Sequence, residues 1–241
     1  MIRRRSDEGW WVVTQADHAR LAADLLALFR LPELIDRPRR RELLLAVREH
    51  DNGWWEADAA PRVDAATGLP LDFREAPPEL RREIWRRAVE RRADEEPYAS
   101  ALIATHALRL LADRRADDEY GEWLAALEER RAELLGASGR TIADALADDR
   151  WLELADDLSL AACLGDGRFV QTLGFRAQVE TTASAVEVRL APFPLAGTTR
   201  FALPARALPP RRYASGVDLG VELAAARWRE LTVRLAPGAA D

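Results

Sequence analysis

The chain has 241 residues, of which 48% are hydrophobic and 32% are charged, and its formal net charge is −6. This length and composition fit a globular protein with one large domain or two small ones and a sizeable core. The net negative charge argues against sequence-independent nucleic-acid binding, which depends on excess positive charge, and against binding to an anionic membrane surface.

The basic residues and the cysteine count exclude further kinds of chemistry. All 35 basic residues are arginine, so no lysine can form a Schiff base or contact a phosphate in a P-loop. The single cysteine, Cys163, rules out an intramolecular disulfide and makes a reducing cytoplasm the expected location. The polar residues 6–8 follow the basic start, which argues against a secretory signal. No apolar run approaches the ~18–20 residues that span a bilayer.

A strand and a helix are the first predicted elements. Residues 10–13 form an aromatic and β-branched run that is typical of a strand. Thr14 and Asp17 approximate a capping box at the start of a helix over about residues 15–30. His18 lies on the apolar stripe of that helix, so we expect its side chain to face the core.

A second helix is predicted from about residue 39 to His50. His50 falls on the apolar face of this helix, and Asp51 follows at its end. Asn52-Gly53 then stops the helix. The pattern therefore places a His-Asp pair at the point where a buried helix face ends.

The segment over residues 54–78 is too rich in proline, glycine and aspartate for regular structure. Loops of this length in a compact domain tend to be lids or binding loops, although a plain surface excursion is the alternative. Within this loop, Trp54, Asp58 and Asp72 are candidates to line the mouth of a pocket.

Four more amphipathic helices are predicted, at about residues 79–92, 97–112, 118–135 and 141–163. His106 lies on the apolar stripe of the second of these helices. Asp157 lies on the apolar stripe of the last one, whereas Asp156 falls on a different face. Because a buried carboxylate without a partner is strongly destabilising, Asp157 requires a cation or several hydrogen-bond donors.

The pattern changes after residue 165. Short alternating segments at residues 185–190, 199–203, 217–223 and 230–235 predict a small antiparallel sheet, which the strand at residues 10–13 could join. The expected fold is mainly α, a helical bundle with a small C-terminal antiparallel β-sheet (α+β overall). Its domains would be a helical domain over residues 1–165 and a β subdomain over residues 166–241.

All three histidines and one unusual aspartate are predicted to face the interior. Neutral imidazole and carboxylate are good ligands for divalent transition metals, and a bundle core can bring them together from separate helices. We therefore predict a metal site made of His18, His50, Asp51, His106 and Asp157. The metal would be a divalent ion, Fe, Mn or another. For each residue alone, the alternative is a hydrogen-bonded core side chain.

The order of these residues resembles that of the HD superfamily of metal-dependent phosphohydrolases. The matching positions are His18, the pair His50-Asp51 and Asp157, each on a separate helix. The resemblance implies an HD-like helical core, with these residues as ligands of one or two metals. His106 falls in the interval where some HD proteins carry histidines for a second metal. Many HD enzymes have a lysine soon after the pair, a position where this chain has none.

A second resemblance, to a bacterial family of unknown function, covers most of the chain. It is carried by residues 14–22, 50–54, 61–73 and 156–160. This second resemblance implies no particular activity.

The leading interpretation is a metal-dependent phosphohydrolase that acts on a small phosphorylated molecule or nucleotide, with no nucleic-acid or membrane partner. Asp51 would orient the metal and its water, whose pKa the metal lowers toward ~7. Arg20 and Arg109, the arginines nearest to histidines by helical spacing, would bind phosphate by bidentate contacts. Two alternatives stay open: a non-catalytic metal- or ligand-binding module, and a di-iron oxygenase on the same scaffold.

Overall fold

The computed structural model describes residues 1–182 and 185–239 and contains a seven-stranded mixed sheet with helices packed against it. The strands are β1 (Ile2–Ser6), β2 (Gly9–Val13), β3 (Phe169–Thr172), β4 (Phe175–Thr181), β5 (Ala185–Ala191), β6 (Thr199–Leu208) and β7 (Trp228–Pro237). Their order across the sheet is β1-β2-β6-β7-β5-β4-β3. Strands β5 and β7 are parallel, and the other neighbours are antiparallel.

The helices lie mostly between the first two strands and the last five. They are α1 (Gln15–Ala27), α2 (Pro32–Ile35), α3 (Arg40–Glu49), α4 (Trp55–Ala59), α5 (Pro78–Glu90), α6 (Pro97–Leu110), α7 (Gly121–Ser138), α8 (Ile142–Leu164) and α9 (Gly216–Ala225). Short 3-10 turns occupy Asn52–Trp54, Phe73–Glu75 and Ala112–Arg114. None of the described helices is long and apolar enough to cross a membrane.

The large sheet shows that the predicted helical bundle with a small C-terminal sheet is wrong. The strand predicted at residues 10–13 does join the C-terminal strands: β2 pairs with β6, with Trp11 opposite Ala207, so both ends of the chain contribute to one sheet. Strand β1 was not predicted because its three consecutive arginines conceal the alternation of buried and exposed residues that is typical of a strand. Ile2 and Arg4 are buried, and the guanidinium of Arg4 lies over the ring of Trp11 at 5.2 Å from its centroid.

The strand predicted at residues 217–223 is also wrong, because these residues form part of α9. Val217, Leu219 and Val221 alternate in sequence, but only Leu219 among them is buried. The helix begins where the Ser215 hydroxyl accepts a hydrogen bond from the backbone N–H of Asp218 at 3.2 Å. This N-cap favours a helix over the strand that the alternation suggested.

Helix α8 lies at the centre of the fold. It contacts α1, α3 and α6, and it also contacts β1, β3, β4 and β5. Because other elements cover it on two sides, even its acidic residues Asp148, Asp149 and Asp156 are at most 5% exposed. Each of these carboxylates must therefore find a donor or a cation inside the protein.

Candidate functional site

Four helices bring three histidines and two aspartates together. His18 comes from α1, His50 and Asp51 from the end of α3, His106 from α6 and Asp156 from α8. None of the five is more than 6% exposed. We refer to these five residues as the histidine cluster.

The chain after the His-Asp pair packs closely against a neighbouring helix. Gly53 lies so close to α5 that an added Cβ would stand 1.9 Å from the carbonyl oxygen of Ile84. Glycine is therefore required at this position by close packing. The tight contact fixes the end of α3 and brings Trp54 against the site.

The ligand atoms of four cluster residues converge. His18 Nε2 lies 2.9 Å from Asp156 Oδ1 and 3.6 Å from Asp51 Oδ2. His50 Nε2 lies 3.4 Å from Asp156 Oδ1 and 3.5 Å from Asp51 Oδ2. Metal–ligand bonds of about 2.1 Å place neighbouring ligands about 3.0 Å apart in an octahedron and about 3.4 Å apart in a tetrahedron. Two sets of three buried side chains, His18/His50/Asp51 and His50/His106/Asp156, each have ligand atoms within 4.8 Å of one another and could hold a metal ion.

The ring of His50 is oriented for such a role. Its Nδ1 lies 2.7 Å from the carbonyl oxygen of Val47, and a carbonyl can only accept a hydrogen bond. Nδ1 therefore carries the proton, and Nε2 of the neutral ring presents a lone pair. That Nε2 is buried and finds no hydrogen-bond partner in the described parts of the chain. A lone pair that faces two carboxylates requires a cation between them, either a proton or a metal ion.

The pKa values of the cluster reflect the same requirement. Burial alone would lower the pKa of His50, but the carboxylates of Asp51 and Asp156 outweigh it and raise this pKa to about 9. Burial would raise the pKa of Asp156, but hydrogen bonds to His18 and His50 hold it well below its ordinary value. Without a metal, His50 thus holds a second proton, on Nε2, at neutral pH. A divalent ion would displace that second proton.

His18 is oriented by a hydroxyl group of α8. Its Nδ1 lies 2.8 Å from Ser159 Oγ, and the Ser159 hydroxyl donates to the carbonyl oxygen of Asp156 at 3.0 Å. Because the Ser159 hydroxyl proton points to that carbonyl, Ser159 Oγ accepts a hydrogen bond from His18 Nδ1. The Nε2 of the neutral His18 ring then presents its lone pair toward the carboxylates. Outer hydrogen bonds of this type orient the histidines that bind metals.

His106, the fifth member of the cluster, is the opposite tautomer to the neutral form of His50. Arg109 Nη2 lies 2.9 Å from His106 Nδ1, and a guanidinium can only donate, so the neutral ring carries its proton on Nε2. That Nε2 lies 3.5 Å from Asp156 Oδ2. Arg109, expected to bind phosphate, also donates to Asp149 at 2.7 Å and to Glu153 at 3.1 Å. These two carboxylates neutralise Arg109, which serves to hold His106.

Asp157, the predicted ligand, lies outside the cluster, and Asp156 stands in its place. Asp157 Oδ2 accepts a hydrogen bond from the Thr172 hydroxyl of β3 at 2.8 Å, and burial raises its pKa. The prediction assumed that α8 has one buried stripe, but α8 packs against helices and strands at once. Asp156 faces the helices and Asp157 faces the sheet. The spacing of Asp149 and Asp156, two helical turns apart, is the sequence signal that could have identified the correct face.

Arg20 does not contact the cluster. Its guanidinium is partly exposed, and it pairs with Asp17 and Asp24 of its own helix, each at 3.5 Å. It also lies 3.4 Å from the carbonyl oxygen of Ala202 in β6. Residues two positions apart on a helix point in nearly opposite directions, so Arg20 faces away from His18.

Asp58 and Asp72 accept hydrogen bonds from the backbone, and neither lines the cavity beside the histidine cluster. Asp58 lines a separate cavity of about 170 Å³, together with residues that include Thr14 and Asp17. Asp58 accepts a hydrogen bond from the N–H of Gln15 at 2.8 Å, at the start of α1. Asp72 is 1% exposed and accepts from the N–H groups of Arg3 at 2.9 Å and Arg74 at 3.1 Å. Both carboxylates replace missing backbone partners, as capping side chains do. Their role at the mouth of a pocket stays a prediction.

A cavity of about 220 Å³ adjoins the cluster and includes His50, Asp51, His106 and Asp156 in its lining. The apolar part of its wall consists of Trp54, Phe73, Ile84, Trp85, Leu110, Leu111 and Leu160. Two polar side chains that were not predicted, Gln15 and Arg81, complete it. Trp54 thus lines the cavity, together with Phe73 from the other end of the predicted loop.

A larger cavity of about 730 Å³ lies elsewhere, lined by residues that include Arg4, Trp11, Gly165 and Trp228. None of its described lining residues is a histidine. Size alone would select this larger cavity. The convergence of imidazole and carboxylate atoms instead identifies the smaller one as the candidate functional site, because convergent polar groups mark sites better than volume.

Comparison with known proteins gives one match. A family model described as "Protein of unknown function (DUF3891)" matches residues 1–210. The chain belongs to this family. The predicted resemblance to an uncharacterised family is thereby confirmed, whereas membership of the HD superfamily is not among the findings. No curated protein and no solved structure matches the chain.

Proposed function

We propose that the histidine cluster binds a divalent metal ion and that the protein is a metal-dependent hydrolase of a small phosphorylated molecule. The observation that carries the proposal is the buried, unpartnered Nε2 of His50, which faces the carboxylates of Asp51 and Asp156 at 3.5 and 3.4 Å. Acceptors that converge in this way are stabilised by a bound cation.

The proposed ligands are His18, His50, Asp51 and Asp156. Their mixed nitrogen and oxygen atoms suit Fe, Mn, Zn and related divalent ions. This set keeps the order of the HD resemblance, with Asp156 at the position first given to Asp157. His106 is proposed as a member of the cluster that does not bind the metal, because the contact with Arg109 places its proton on the nitrogen that faces Asp156.

The bound metal would supply Lewis acidity and a water molecule with a pKa near ~7. Asp51 and Asp156 would hold the metal and orient its water. His106 would donate a hydrogen bond from its neutral Nε2–H to an oxygen of the substrate and so stabilise the negative charge that develops there, while keeping its proton. The side chains of Trp54 and Trp85 would keep bulk water out of the cavity, which strengthens the electrostatic contacts inside it.

Phosphate release tests this proposal. Protein loaded with Mn²⁺ or Fe²⁺ is incubated with small phosphate monoesters and nucleoside monophosphates, and inorganic phosphate is measured. We expect metal-dependent release by the wild type and its loss in His50→Gln, whereas Arg86→Gln, an exposed control on α5, retains it. Metal binding without hydrolysis of any ester would contradict the hydrolase and favour a non-catalytic metal-binding module.

A further inference from the structure

Arg81 is the one arginine that lines the cavity beside the histidine cluster in the described parts of the chain. It lies in the first turn of α5. Its Nε donates to the carbonyl oxygen of Ala76 at 2.8 Å, and its Nη2 donates to that of Arg74 at 2.6 Å. The two carbonyls hold the guanidinium in place and leave Nη1 without a hydrogen bond to any described residue, so the side chain is ordered before any ligand arrives.

The charge of Arg81 is not neutralised by a carboxylate. Across residues 1–182 and 185–239, Arg81 forms no ion pair, whereas Arg109 pairs with Asp149 and Glu153. An arginine already held by carboxylates must break those contacts before it binds a ligand anion. Arg81 need not do so, because neutral carbonyl groups hold it.

The cavity sets limits on the remainder of the ligand. Its volume of about 220 Å³ lies below the about 300 Å³ at which pockets for drug-sized ligands begin. Its wall includes the aromatic side chains of Trp54, Phe73 and Trp85. A compact molecule with an apolar or aromatic part fits within this wall, whereas the base and ribose of a nucleotide would extend beyond the cavity.

Electrostatics link the anion to the metal. The carboxylates of Asp51 and Asp156 line the same cavity as Arg81 and repel an anion. A divalent ion between them would cancel that repulsion and add its own attraction. Arg81 would then attract the anionic group of the ligand from the cavity wall, as in other sites where charge guides an anion toward a metal.

We propose that Arg81 binds the anionic oxygens of the substrate, and that the substrate is a compact organic phosphate with an apolar group rather than a nucleotide. The phosphate chemistry rests on the proposed function. The anion contact does not, because Arg81 lies outside the proposed metal ligands and is itself a cation.

Calorimetric titration with phenylphosphonate, a phosphate mimic that cannot be hydrolysed, tests this proposal. The titration uses the full chain, both loaded with Mn²⁺ and treated with a chelator. We expect Arg81→Gln to weaken binding at least 10-fold, as expected for the loss of a charge-assisted contact. Arg81→Lys keeps the charge and should give an intermediate affinity. The control Arg86→Gln, on the same helix and paired with Glu83, should bind as the wild type does.

The outcomes separate the two proposals. Binding by Arg81→Gln and Arg81→Lys within twofold of wild type would overturn the role of Arg81, as would failure of the wild type to bind. Equal or tighter binding of adenosine monophosphate would overturn the compact ligand. If the protein takes up no metal but Arg81→Gln still weakens phenylphosphonate binding, only the metal-dependent hydrolase fails. Circular dichroism checks folding, and Arg81→Lys carries the test if Arg81→Gln does not fold.

Discussion

Two buried aspartates of α8 have opposite surroundings. Asp148 receives hydrogen bonds from donors on both oxygens: Arg37 Nε on Oδ1 and the Tyr98 hydroxyl on Oδ2. Asp156, two turns further along the helix, faces the imidazole Nε2 of His50 and shares its surroundings with a second carboxylate, Asp51. Both aspartates are at most 5% exposed.

The difference distinguishes a structural carboxylate from a candidate ligand. The Asp148 site already contains its cation, the guanidinium of Arg37, and so needs nothing from solution. Around Asp156, acceptors converge and the balancing cation has to be a proton or a metal ion. The same residue type on the same helix thus serves packing at one position and a candidate site at the other.

Replacement of the two aspartates should give the largest contrast. We expect Asp156→Asn to weaken metal binding more than about 100-fold, beyond the about 10–100-fold that loss of an outer partner causes, because a proposed ligand is removed. Asp148→Asn should bind metal as the wild type does. Titration of metal-free protein with Mn²⁺ measures both. Equal affinities in the two variants would show that Asp156 is not a ligand.

The Asp148 site should instead dominate stability. Asp148→Ala leaves the half-buried guanidinium of Arg37 and the buried hydroxyl of Tyr98 without their acceptor, which should reduce the free energy of unfolding by about 3 kcal/mol. Urea unfolding monitored by circular dichroism measures this loss. Metal content should not change in the folded fraction. A loss below about 1 kcal/mol would mean that this pair does not stabilise the fold.

Raising the pH should destabilise metal-free protein in particular. The pKa of His50 is about 9 in the fold against 6.5 in its ordinary state, so its contribution is fully present below pH 6.5. That contribution, up to about 3 kcal/mol, is lost as the pH rises through 9. Urea unfolding of chelator-treated protein at pH 6.5 and 9.5 should show the loss. Metal-loaded protein and His50→Gln should lack it, and an equal loss in His50→Gln would contradict this origin.

The smallest effects on stability and metal affinity are expected from a substitution at Asp157, the residue that follows Asp156 on α8. Asp157→Asn removes a charged acceptor for the Thr172 hydroxyl but keeps a neutral one, so stability should change by about 1 kcal/mol or less. Metal affinity should not change. This variant is the direct control for Asp156→Asn, and a loss of metal in Asp157→Asn would restore the original ligand prediction.

The sequence could predict the histidines better than the fold. His18, His50 and His106 all lie on helices with clear apolar stripes, so their inward orientation follows from periodicity. Asp157 was chosen by the same rule, which fails on α8 because a helix covered on two sides has two buried stripes. The two-turn spacing of Asp149 and Asp156 favours Asp156 in the sequence, and tertiary packing then distinguishes it from Asp157.

Four strands of the sheet, β2, β5, β6 and β7, follow the pattern that predicted strands at residues 10–13, 185–190, 199–203 and 230–235, whereas β1, β3 and β4 were not predicted. Strand β1 contains three consecutive arginines, and the buried one, Arg4, is accommodated by the ring of Trp11. Arg81 was not singled out either, because nothing in the local sequence of α5 distinguishes it from the neighbouring arginines. Its selection depends on which carbonyls and which cavity it meets, and those come from residues that are distant in the fold.

Elemental analysis of wild-type protein, purified without added metal or chelator, tests the central claim most directly. We expect about one divalent metal ion per chain, retained through gel filtration, absent from Asp156→Asn and present in Asp148→Asn. A folded wild-type protein that carries no metal, and takes up none from Mn²⁺, Fe²⁺ or Zn²⁺, would contradict the claim. The histidine cluster would then be a buried ion pair with a proton on His50 as its cation.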